Sequence, residues 1–355
     1  MFIGIPKEKK KEEYRVGGIP ETVFLLAERG HRVLVERNAG AGAGISDMDY
    51  ANAGAEICET CDELYARSEL IVKVKEPLPE EFSLLKQGQI LFTFFHFAAD
   101  AKMTETLVSK KVHCFAYELV EEEGNFPILA PMSEIAGRLA PQQGAKYLEK
   151  EYGGKGILLS GGYKSKKGKV VVMGGGVVGM NAALISCGMG ADVVIFELSP
   201  ARASYLEKHF GKKCRIQLSS RENIEKEIKD ADVIVGAVMV AGAKAPKVLK
   251  KEDLKDIEDG SVLVDVAIDQ GGCFETSRPT NHTQPIFIQD GVIHYCVANM
   301  PGVVPRTSTY ALVAASTPYA VLLADKGIDA VKENLPLSKG YAIGNGRILS
   351  GRITL

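Results

Sequence analysis

A glycine-rich stretch near the middle of this 355-residue chain has the residue types and the spacing that bind a dinucleotide. Gly174, Gly176 and Gly179 follow a β-branched run at 170–172 and precede an apolar, alanine-rich segment. In a G-x-G-x-x-G turn the first glycine permits a tight strand-to-helix turn, the second lets the backbone approach a pyrophosphate, and the third allows close helix packing. Because the helix N-terminus also presents unpaired N–H groups to phosphates, the stretch predicts a pyrophosphate-binding turn.

A carboxylate at the end of the next predicted strand supports this interpretation. Glu197 closes the segment 191–197 and stands 18 residues beyond Gly179. This is close to the offset of about 20 residues at which an acidic side chain accepts hydrogen bonds from an adenosine ribose. The alternative is a glycine-rich turn with no ligand, and the pattern of strand, helix, second strand and acidic end favours the dinucleotide interpretation over it.

A second group of polar residues follows the predicted strands, where acid–base and charge chemistry could take place. In open parallel α/β sheets, ligands bind beyond the carboxyl ends of the strands. An imidazole can exchange protons near neutral pH, and a guanidinium can bind a carboxylate through two parallel hydrogen bonds. Five residues share this placement and are candidates for a substrate site: Arg15, Lys75, His96, Asp269 and Asn299.

Most of these candidates also have an interpretation without chemistry. His96 stands among phenylalanines and could be a hydrogen-bonded core residue, while Asp269 precedes Gln-Gly-Gly and could form a turn. Arg15 lies among Lys and Glu and could make a solvated surface pair, and Lys75 could mark an ordinary strand exit. Residue types and spacing alone therefore predict a dinucleotide domain and leave its second substrate open.

Alternating strand-like and helix-like segments position these residues. Strands are predicted at 2–5, 31–36, 69–74, 89–95, 112–118, 170–172, 191–197, 215–218, 232–238, 261–268 and 292–298. Helices are predicted at 20–29, 47–53, 59–67, 80–87, 101–110, 200–210, 221–229 and 251–257, and in the segment after Gly176. This alternation is typical of βαβ units and a parallel sheet.

Two longer helical segments interrupt the alternation and divide the chain. One spans 131–152, with Ser133 as its predicted N-cap and Pro141 as a predicted kink or restart, and the other covers the apolar stretch 310–323. We therefore predict an α/β protein with two Rossmann-like, doubly wound parallel-sheet domains joined by long helices. The predicted domains are 1–130 plus 306–355, which is discontinuous, and 131–305.

The composition excludes several classes of protein. Hydrophobic residues make up 46% and charged residues 25%, with a net charge of −2 and a pI near 6.4, which predicts no nucleic-acid partner and no acidic-membrane partner. No apolar run reaches the ~18 residues that span a bilayer, and the opening segment lacks a signal-peptide core. Seven scattered cysteines form no disulfide framework, and one C-x-x-C at 58–61 predicts no metal site. We expect a cytoplasmic protein.

Several blocks of sequence occur in one order along the chain and carry a family resemblance. They are Gly4-Ile-Pro-Lys-Glu8, Glu13-Tyr-Arg-Val16, Lys73-Val-Lys-Glu-Pro77, Ile90-Leu-Phe-Thr-Phe-Phe-His96, Leu129-Ala-Pro-Met-Ser-Glu-Ile-Ala-Gly-Arg138, Gly242-Ala-Lys-Ala-Pro-Lys247, Val264-Asp-Val-Ala-Ile-Asp-Gln-Gly-Gly272 and Ala298-Asn-Met-Pro-Gly302. With them the chain closely resembles, essentially end to end, the bacterial NAD-dependent L-alanine dehydrogenases. That family shares its architecture with the NAD-binding subunit of proton-translocating transhydrogenase.

The resemblance implies a role for each candidate. Arg15 and Lys75 would contact the substrate, and His96 would be the acid/base group. Asp269 would be a second acid/base group beside the nicotinamide, and Asn299 would form hydrogen bonds near the reacting centre. The implied cofactor is NAD, with contacts from Ser133, Gly174, Gly176, Val177, Val178, Gly179, Glu197, Arg202, Ser219, Val238, Met239, Val266, Ala267, Ile268, Arg278, Val297, Ala298 and Met300. No metal is implied.

The implied reaction is the reversible oxidative deamination of L-alanine to pyruvate and ammonia. A hydride leaves the alanine Cα for the nicotinamide, water adds to the resulting imine, and ammonia departs. The family forms homohexamers, often dimerising through the long connecting helices. Alternatives are an opine- or ornithine-type reductive aminase with a larger substrate, an NAD(H)-binding module of a transhydrogenase, and a non-catalytic NAD-binding regulator. Arg15, Lys75 and His96 together, with the lack of a membrane segment, argue against the transhydrogenase module, whereas only the volume of the substrate pocket separates the reductive aminase from the dehydrogenase.

Three departures from the family pattern carry expectations. Glu197 stands where Asp is usual, and it should still repel a 2′-phosphate and favour NAD over NADP. The loop at 163–168 is rich in lysine where relatives have a Pro- and Gly-containing turn, and we expect only a surface change. The chain stops at Leu355, where relatives usually continue, so we expect a C-terminal element of the family to be absent.

Overall fold

A computed structural model describes residues 1–97, 100–238 and 245–353 of the chain. The chain divides into two compact units. Unit 1 contains Met1–Met132 and Gly302–Leu355, and unit 2 contains Ser133–Pro301.

Fifteen strands are present in the described part of the chain. They are β1 (Phe2–Ile5), β2 (Arg32–Glu36), β3 (Glu56–Cys58), β4 (Leu70–Val72), β5 (Ile90–Thr93), β6 (His113–Ala116), β7 (Lys169–Met173), β8 (Asp192–Glu197), β9 (Arg215–Leu218), β10 (Val233–Gly236), β11 (Val262–Asp265), β12 (Ile286–Gln289), β13 (Val292–Tyr295), β14 (Tyr341–Gly344) and β15 (Arg347–Ile348).

Ten α-helices are present in the same ranges. They are α1 (Pro20–Glu28), α2 (Asp47–Asn52), α3 (Cys61–Arg67), α4 (Ala101–Ser109), α5 (Ala130–Tyr147), α6 (Val177–Gly188), α7 (Pro200–Phe210), α8 (Arg221–Ile228), α9 (Pro305–Lys326) and α10 (Leu335–Gly340). Side chains that accept a hydrogen bond from a first-turn N–H cap six of these helices, namely Ser46, Thr60, Asp100, Ser199, Ser220 and Asn334. No helix of the described residues is long and apolar enough to cross a membrane.

The sheet of unit 1 has the strand order β15-β14-β6-β5-β4-β1-β2-β3. Strands β1 to β6 pair in parallel, and β14 pairs antiparallel with both β6 and β15. From β1 the chain goes to β2 and β3 on one side and then returns to β4 on the other. The neighbours β1 and β4 therefore flank a topological switch point, where ligands bind in doubly wound sheets.

The sheet of unit 2 repeats this arrangement with the strand order β12-β13-β11-β10-β7-β8-β9. Its strands are parallel except for β12, which pairs antiparallel with β13. The switch point lies between β7 and β10. Strand β7 is buried along its whole length because its Val-rich run is covered on both faces.

Each sheet carries its own apolar core, as the predicted α/β class requires. In unit 1 the core includes Leu34, Leu91 and Phe95, and in unit 2 it includes Val171, Ile234 and Phe274 in a separate cluster. The α/β class is confirmed, with the correction that both sheets are mixed at an edge because antiparallel strands extend them.

Several predictions of local secondary structure were wrong. Ser133 does not cap a helix, because α5 begins at Ala130 and places Ser133 inside it. That helix continues through Pro141 to Tyr147, and only a short 3-10 turn, Lys150–Tyr152, follows. The predicted helices at 80–87 and 251–257 are 3-10 turns as well, at Pro79–Leu84 and Lys251–Asp256. Four strands were missed, namely β3, β12, β14 and β15.

Candidate active site

Arg15 lies in the loop between β1 and α1, and its guanidinium is buried against a carboxylate. The residue is 3% exposed. Its Nε donates to Glu13 Oε1 at 2.6 Å, its Nη2 donates to Glu13 Oε2 at 2.5 Å, and its Nη1 donates to Met132 Sδ at 3.1 Å. Burial would raise the pKa of Glu13, but the hydrogen bonds and charge of Arg15, with the charge of Lys75, lower it to about 2. Arg15 is therefore not a solvated surface residue.

Lys75 follows β4, and hydrogen bonds of its backbone hold it in place. The residue is 7% exposed. Glu8 Oε1 accepts the N–H of Val74 at 2.6 Å and that of Lys75 at 3.4 Å. The Lys75 carbonyl oxygen accepts a hydrogen bond from Thr93 Oγ1 at 2.9 Å. The exit from β4 is thus tied to the loop after β1 and to the end of β5.

A buried charge network supports this strand exit. Lys73 is 1% exposed, and its Nζ lies 2.8 Å from Glu81 Oε1 and 3.6 Å from Glu8 Oε2. Burial raises the pKa of Glu8 to about 7, although the charge of Lys73 opposes the shift. Tyr65 donates its hydroxyl to Glu81 Oε1 at 2.9 Å. Removing one member of such a network would leave a buried charge unpaired, which is strongly destabilising.

His96 stands just beyond β5 in a backbone conformation that few non-glycine residues adopt. Its φ is +52°. Glu118 Oε1 accepts the N–H of His96 at 2.7 Å and that of Phe95 at 3.1 Å, which holds this conformation. The side chain is 36% exposed, and its Nδ1 lies 3.4 Å from Glu76 Oε2. Burial would raise the pKa of Glu76, but its contacts with His96 and Lys10 hold that pKa well below its usual range.

Unit 1 brings three of the predicted residues to one edge of its sheet. Arg15 follows β1, Lys75 follows β4 and His96 follows β5, and these three strands are neighbours. Arg15 and Lys75 both act on the carboxylate of Glu13, and Glu76, which contacts His96, is the residue after Lys75. Two cations and an imidazole at a switch point can hold a small carboxylate beside a group that exchanges protons.

The three glycines of the turn in unit 2 differ in the space that a side chain would find. Gly174 has a φ of +101°, and a Cβ there would lie 2.8 Å from the Ala237 carbonyl oxygen. A Cβ at Gly179 would lie 1.8 Å from the Gly174 carbonyl oxygen, so the third glycine lets α6 approach the turn. A Cβ at Gly176 would meet no atom within 4 Å. The surface at Gly176 is therefore open to a ligand, as the sequence pattern predicts for the second glycine.

Glu197 ends β8 next to this turn. Its Oε2 accepts the N–H of Gly175 at 3.0 Å and its Oε1 accepts the N–H of Ser199 at 2.9 Å. Arg202 on α7 donates through Nε to the Gly175 carbonyl oxygen at 2.9 Å. Ser219, just after β9, donates its N–H to the Glu197 carbonyl oxygen at 2.9 Å. The carboxylate is thus held against the backbone of the glycine turn.

Most other residues predicted in unit 2 lie at the carboxyl ends of neighbouring strands. Val238 follows β10 and lies beside Gly174 at the switch point. A Cβ added at Gly174 would lie 3.2 Å from Val238 Cγ2. Met239 lies outside the described residues. Beyond β11 come Val266, Ala267, Ile268 and Asp269, and beyond β13 come Val297, Ala298, Asn299 and Met300.

Asp269 is exposed on a 3-10 turn, Ile268–Gln270, and a buried aspartate holds the segment around it. Asp265 Oδ1 accepts the N–H of Ala267 at 3.1 Å. Asp265 Oδ2 accepts the N–H of Cys273 at 2.9 Å and the hydroxyl of Ser277 at 2.5 Å. Burial raises the pKa of Asp265, and these donors oppose the shift. The loop that carries Asp269 is therefore held by hydrogen bonds to Asp265, the last residue of β11.

Asn299 shares the left-handed backbone of His96, with a φ of +64°. Its carbonyl oxygen lies 3.3 Å from His282 Nε2. The nearby chain is tied down because the N–H of Ala298 donates to the Thr280 carbonyl oxygen at 3.2 Å. Strained backbone of this kind is maintained only where its surroundings hold it.

Val177 and Val178 are the first two residues of α6, and three further predicted cofactor residues lie away from the strand ends. Ser133 is inside the first turns of α5, and Arg202 is on α7. Arg278 is exposed, and its guanidinium lies over the Phe287 ring at 4.3 Å from the centroid. Among residues 1–97, 100–238 and 245–353, no cluster of three or more His, Cys, Asp or Glu side chains could hold a metal ion.

Comparison with known families gives the arrangement a name. Residues 4–136 match the family described as Alanine dehydrogenase/PNT, N-terminal domain, and residues 140–351 match Alanine dehydrogenase/PNT, C-terminal domain. The chain belongs to the alanine dehydrogenase/PNT family. The resemblance drawn from the sequence blocks is thereby confirmed.

Individual relatives match this family member over nearly its whole length. An alanine dehydrogenase of Methanococcus maripaludis is 49% identical over 98% of this chain and 94% of the relative. One of Mycolicibacterium smegmatis is 46% identical over 99% and 95%. The solved structure of an L-alanine dehydrogenase superposes with a TM-score of 0.96 at 46% identity, covering 99% of this chain and 98% of the other.

A solved structure with lower sequence identity to this chain shares the fold. A transhydrogenase from Sinorhizobium meliloti superposes with a TM-score of 0.83, covering 99% of each chain, at only 21% identity. At that level of identity the likeness shows the fold alone.

The family member also contains carboxylates that sequence reasoning did not single out as site residues. Each of them accepts hydrogen bonds from, or pairs with, a predicted residue or its neighbours: Glu8, Glu13, Glu76, Glu118 and Asp265. Four of the five lie inside or directly beside a block that carried the resemblance. The presence of a carboxylate within one of those blocks was therefore the feature of the sequence that could have identified these four residues.

Proposed function

We propose that this protein catalyses the reversible, NAD-dependent oxidative deamination of L-alanine to pyruvate and ammonia. The observation that carries the proposal is the end-to-end match to alanine dehydrogenases at 46–49% identity. It is supported by a glycine turn whose second glycine leaves room for a pyrophosphate.

Unit 2 would hold the dinucleotide along the carboxyl edge of its sheet. Gly174, Gly176 and Gly179 shape the turn, and the first N–H groups of α6 would bind the pyrophosphate. Glu197 would accept hydrogen bonds from the ribose and repel a 2′-phosphate. The bound NAD supplies the hydride acceptor, and the protein supplies position and charge.

Unit 1 would bind the amino acid. Arg15 suits a substrate carboxylate because a guanidinium can offer parallel N–H donors. Lys75 adds a compact positive charge next to the carboxylate or the developing carbonyl. Because Glu13 holds the guanidinium of Arg15 from one side, the direction from which a substrate approaches is restricted.

His96 is the group we assign to proton transfer. Its Nδ1 faces Glu76, so Nε2 is the nitrogen that would take the proton from the substrate amine or from attacking water and return it in reverse. Asp269, exposed beyond β11, would exchange the proton on water or ammonia, and Asn299 would form hydrogen bonds near the reacting centre.

The test is the absorbance of NADH in a panel of amino acids with NAD and the purified protein. We expect L-alanine to give the highest kcat/KM and NADP to support little turnover. A signal only with bulkier amino acids would instead favour an opine- or ornithine-type reductive aminase. Binding of NADH without turnover of any amino acid would favour a transhydrogenase-like module or a regulator.

We also propose that the protein forms a homohexamer and works in the cytoplasm, both on the strength of the family resemblance. Light scattering should then give a mass about six times the 38.3 kDa of one chain. A monomeric or dimeric mass would refute the assembly, and recovery of the protein outside the cytoplasmic fraction would refute the location.

A further inference from the structure

Two cysteines of unit 2 that take no part in the proposed chemistry are in direct contact. Cys187 lies in the last turn of α6, and Cys214 lies just before β9. Both are free thiols, and their Sγ atoms are 2.8 Å apart. A disulfide has an S–S distance of about 2.05 Å, so the two sulfurs need to approach by less than about 1 Å to form one.

The two thiols differ in their exposure and in their surroundings. Cys187 is partly exposed, whereas Cys214 is buried. The hydrogen bond with Cys214 lowers the pKa of Cys187 against the effect of burial, and the charge of Lys213 acts in the same direction. The same hydrogen bond, with burial, raises the pKa of Cys214. Because the thiolate is the nucleophile, Cys187 is suited to attack and Cys214 to resolve.

The contact is remote from the glycine turn. Cys187 stands ten residues after the first residue of α6, which corresponds to about 15 Å along the helix. Its Sγ also lies 3.4 Å from the Lys213 carbonyl oxygen, which holds the side chain against the segment before β9. A bond between the two sulfurs would join α6 to that segment without entering the turn.

We propose that Cys187 and Cys214 form a reversible intramolecular disulfide when the protein reacts with hydrogen peroxide. The Cys187 thiolate attacks one peroxide oxygen, the O–O bond breaks, and a sulfenic acid and one water form. The Cys214 sulfur then attacks the sulfenic sulfur, the S–S bond forms and a second water leaves. Two thiols lose two electrons and two protons, and one peroxide becomes two waters. A dithiol restores both cysteines by exchange.

The test uses the full-length, reduced protein and hydrogen peroxide. After treatment, the protein is denatured and its free thiols are alkylated, it is digested without reductant, and the peptides are analysed by mass spectrometry. We expect one disulfide-linked species that joins the Cys187 and Cys214 peptides, and a fall from seven to five alkylated cysteines. Dithiothreitol should restore all seven.

Variants separate the two roles. In Cys214→Ser the attacking thiol remains, so dimedone should trap a sulfenic acid at Cys187 and no linked peptide should form. The double variant Cys58→Ser/Cys61→Ser is the matched control, because burial raises the pKa of both thiols to about 11. It should form the same link at the same rate as the wild type.

The peptide map of the wild-type protein tests the proposal by itself, so the test does not require that the variants fold. Unchanged alkylation of Cys187 and Cys214 after peroxide treatment would overturn it. Linkage dominated by other cysteines would overturn it equally, and so would trapping of the sulfenic acid at Cys214 instead of Cys187.

Discussion

Carboxylates hold the side chains or the backbone of the residues that we assign to substrate binding and proton transfer in unit 1. Glu13 pairs with Arg15, Glu8 accepts the N–H groups at Val74 and Lys75, and Glu118 accepts the N–H of His96. A buried cation without its partner is destabilising by about 3–5 kcal/mol. Changes at these carboxylates should therefore affect both stability and turnover.

The substitution Glu13→Gln should lower the free energy of unfolding by about 3 kcal/mol at pH 7. In the folded protein the pKa of Glu13 is lowered to about 2, whereas its usual value is 4.5. Its contribution to stability is therefore present above about pH 4.5 and is lost as the pH falls towards 2. The difference between variant and wild type should shrink between pH 5 and pH 3 in urea unfolding. The exposed Glu28→Gln should change stability by less than about 0.5 kcal/mol, and a pH-independent effect of Glu13→Gln would contradict the assignment.

The substitution Glu76→Gln should affect catalysis through the orientation of His96. Loss of the carboxylate near Nδ1 lets the imidazole leave its position, and misplacement of a catalytic group by about 1 Å costs on the order of 100-fold in rate. We expect kcat with L-alanine to fall by about that factor while the KM for NAD stays within two-fold. Glu80→Gln, on the neighbouring exposed turn, should retain full kcat. Wild-type kcat in Glu76→Gln would exclude the positioning role.

The substitution Glu197→Ala should weaken NAD binding and narrow the preference for NAD over NADP. The variant loses both the proposed ribose contact and the carboxylate that accepts the N–H groups of Gly175 and Ser199. Titration of intrinsic or NADH fluorescence with both cofactors would measure the ratio of dissociation constants. An unchanged ratio would mean that this carboxylate does not face the ribose.

At the scale of single residues, the sequence predicted the groups that could act but not their partners. The roles of the glycines could be predicted because each one depends on the local backbone of the turn and of the helix that follows it. The pairing of Glu8 with Val74, or of Glu118 with His96, joins residues far apart in the chain. Such pairs arise only when the strands assemble, so spacing gave no sign of them.

At the scale of elements, long periodic segments were predictable and short edge strands were not. Three of the four missed strands, namely β12, β14 and β15, border tight hairpins that the sequence does mark. Asp290-Gly291 joins β12 to β13, and Asn345-Gly346 joins β14 to β15, with all four residues at positive φ. These dipeptides are a strong hairpin signal. By contrast β3 has only three residues, which is too short to show a strand period.

The order of strands could not be inferred from the sequence either. Alternating segments predict parallel sheets but do not say that β4 returns beside β1, or β10 beside β7. That return creates the switch points at which Arg15 and Lys75 meet in one sheet and Gly174 and Val238 in the other. Placement of the candidates beyond strand ends was predictable, and their adjacency was not.

The glycine turn allows packing and ligand access to be tested separately. Gly179→Ala places a Cβ 1.8 Å from the Gly174 carbonyl oxygen, so we expect both a lower thermal midpoint and at least a ten-fold weaker affinity for NAD. Gly176→Ala meets no atom within 4 Å, so it should keep its thermal midpoint and lose affinity by about ten-fold. Calorimetry and scanning fluorimetry would measure these effects.

A third variant in the same helix is the control. The added Cβ of Gly188→Ala also meets no atom within 4 Å, but the residue lies at the far end of α6. Its affinity for NAD should therefore change by less than two-fold, and its thermal midpoint by less than about 2 °C. Wild-type NAD affinity in Gly176→Ala would contradict a pyrophosphate at the turn.

At the scale of the whole molecule, we assign substrate binding to one of the two separately cored α/β units and dinucleotide binding to the other. Unit 1 carries the cations and the imidazole, and unit 2 carries the glycine turn and its carboxylate. The ordinary composition and small net charge gave no indication of a nucleic-acid or acidic-membrane partner, and they could not identify a substrate. The family blocks indicated one, because they contain Arg15, Lys75 and His96, to which we assign carboxylate binding and proton transfer.

The central claim is that this chain moves a hydride from the Cα of L-alanine to NAD. The most direct measurement is a reaction with L-alanine deuterated at Cα, followed by mass spectrometry of the NADH and the pyruvate. We predict one deuterium in each NADH molecule, none from solvent, and one pyruvate formed per NADH. NADH without deuterium, or no NADH at all from L-alanine, would contradict the account.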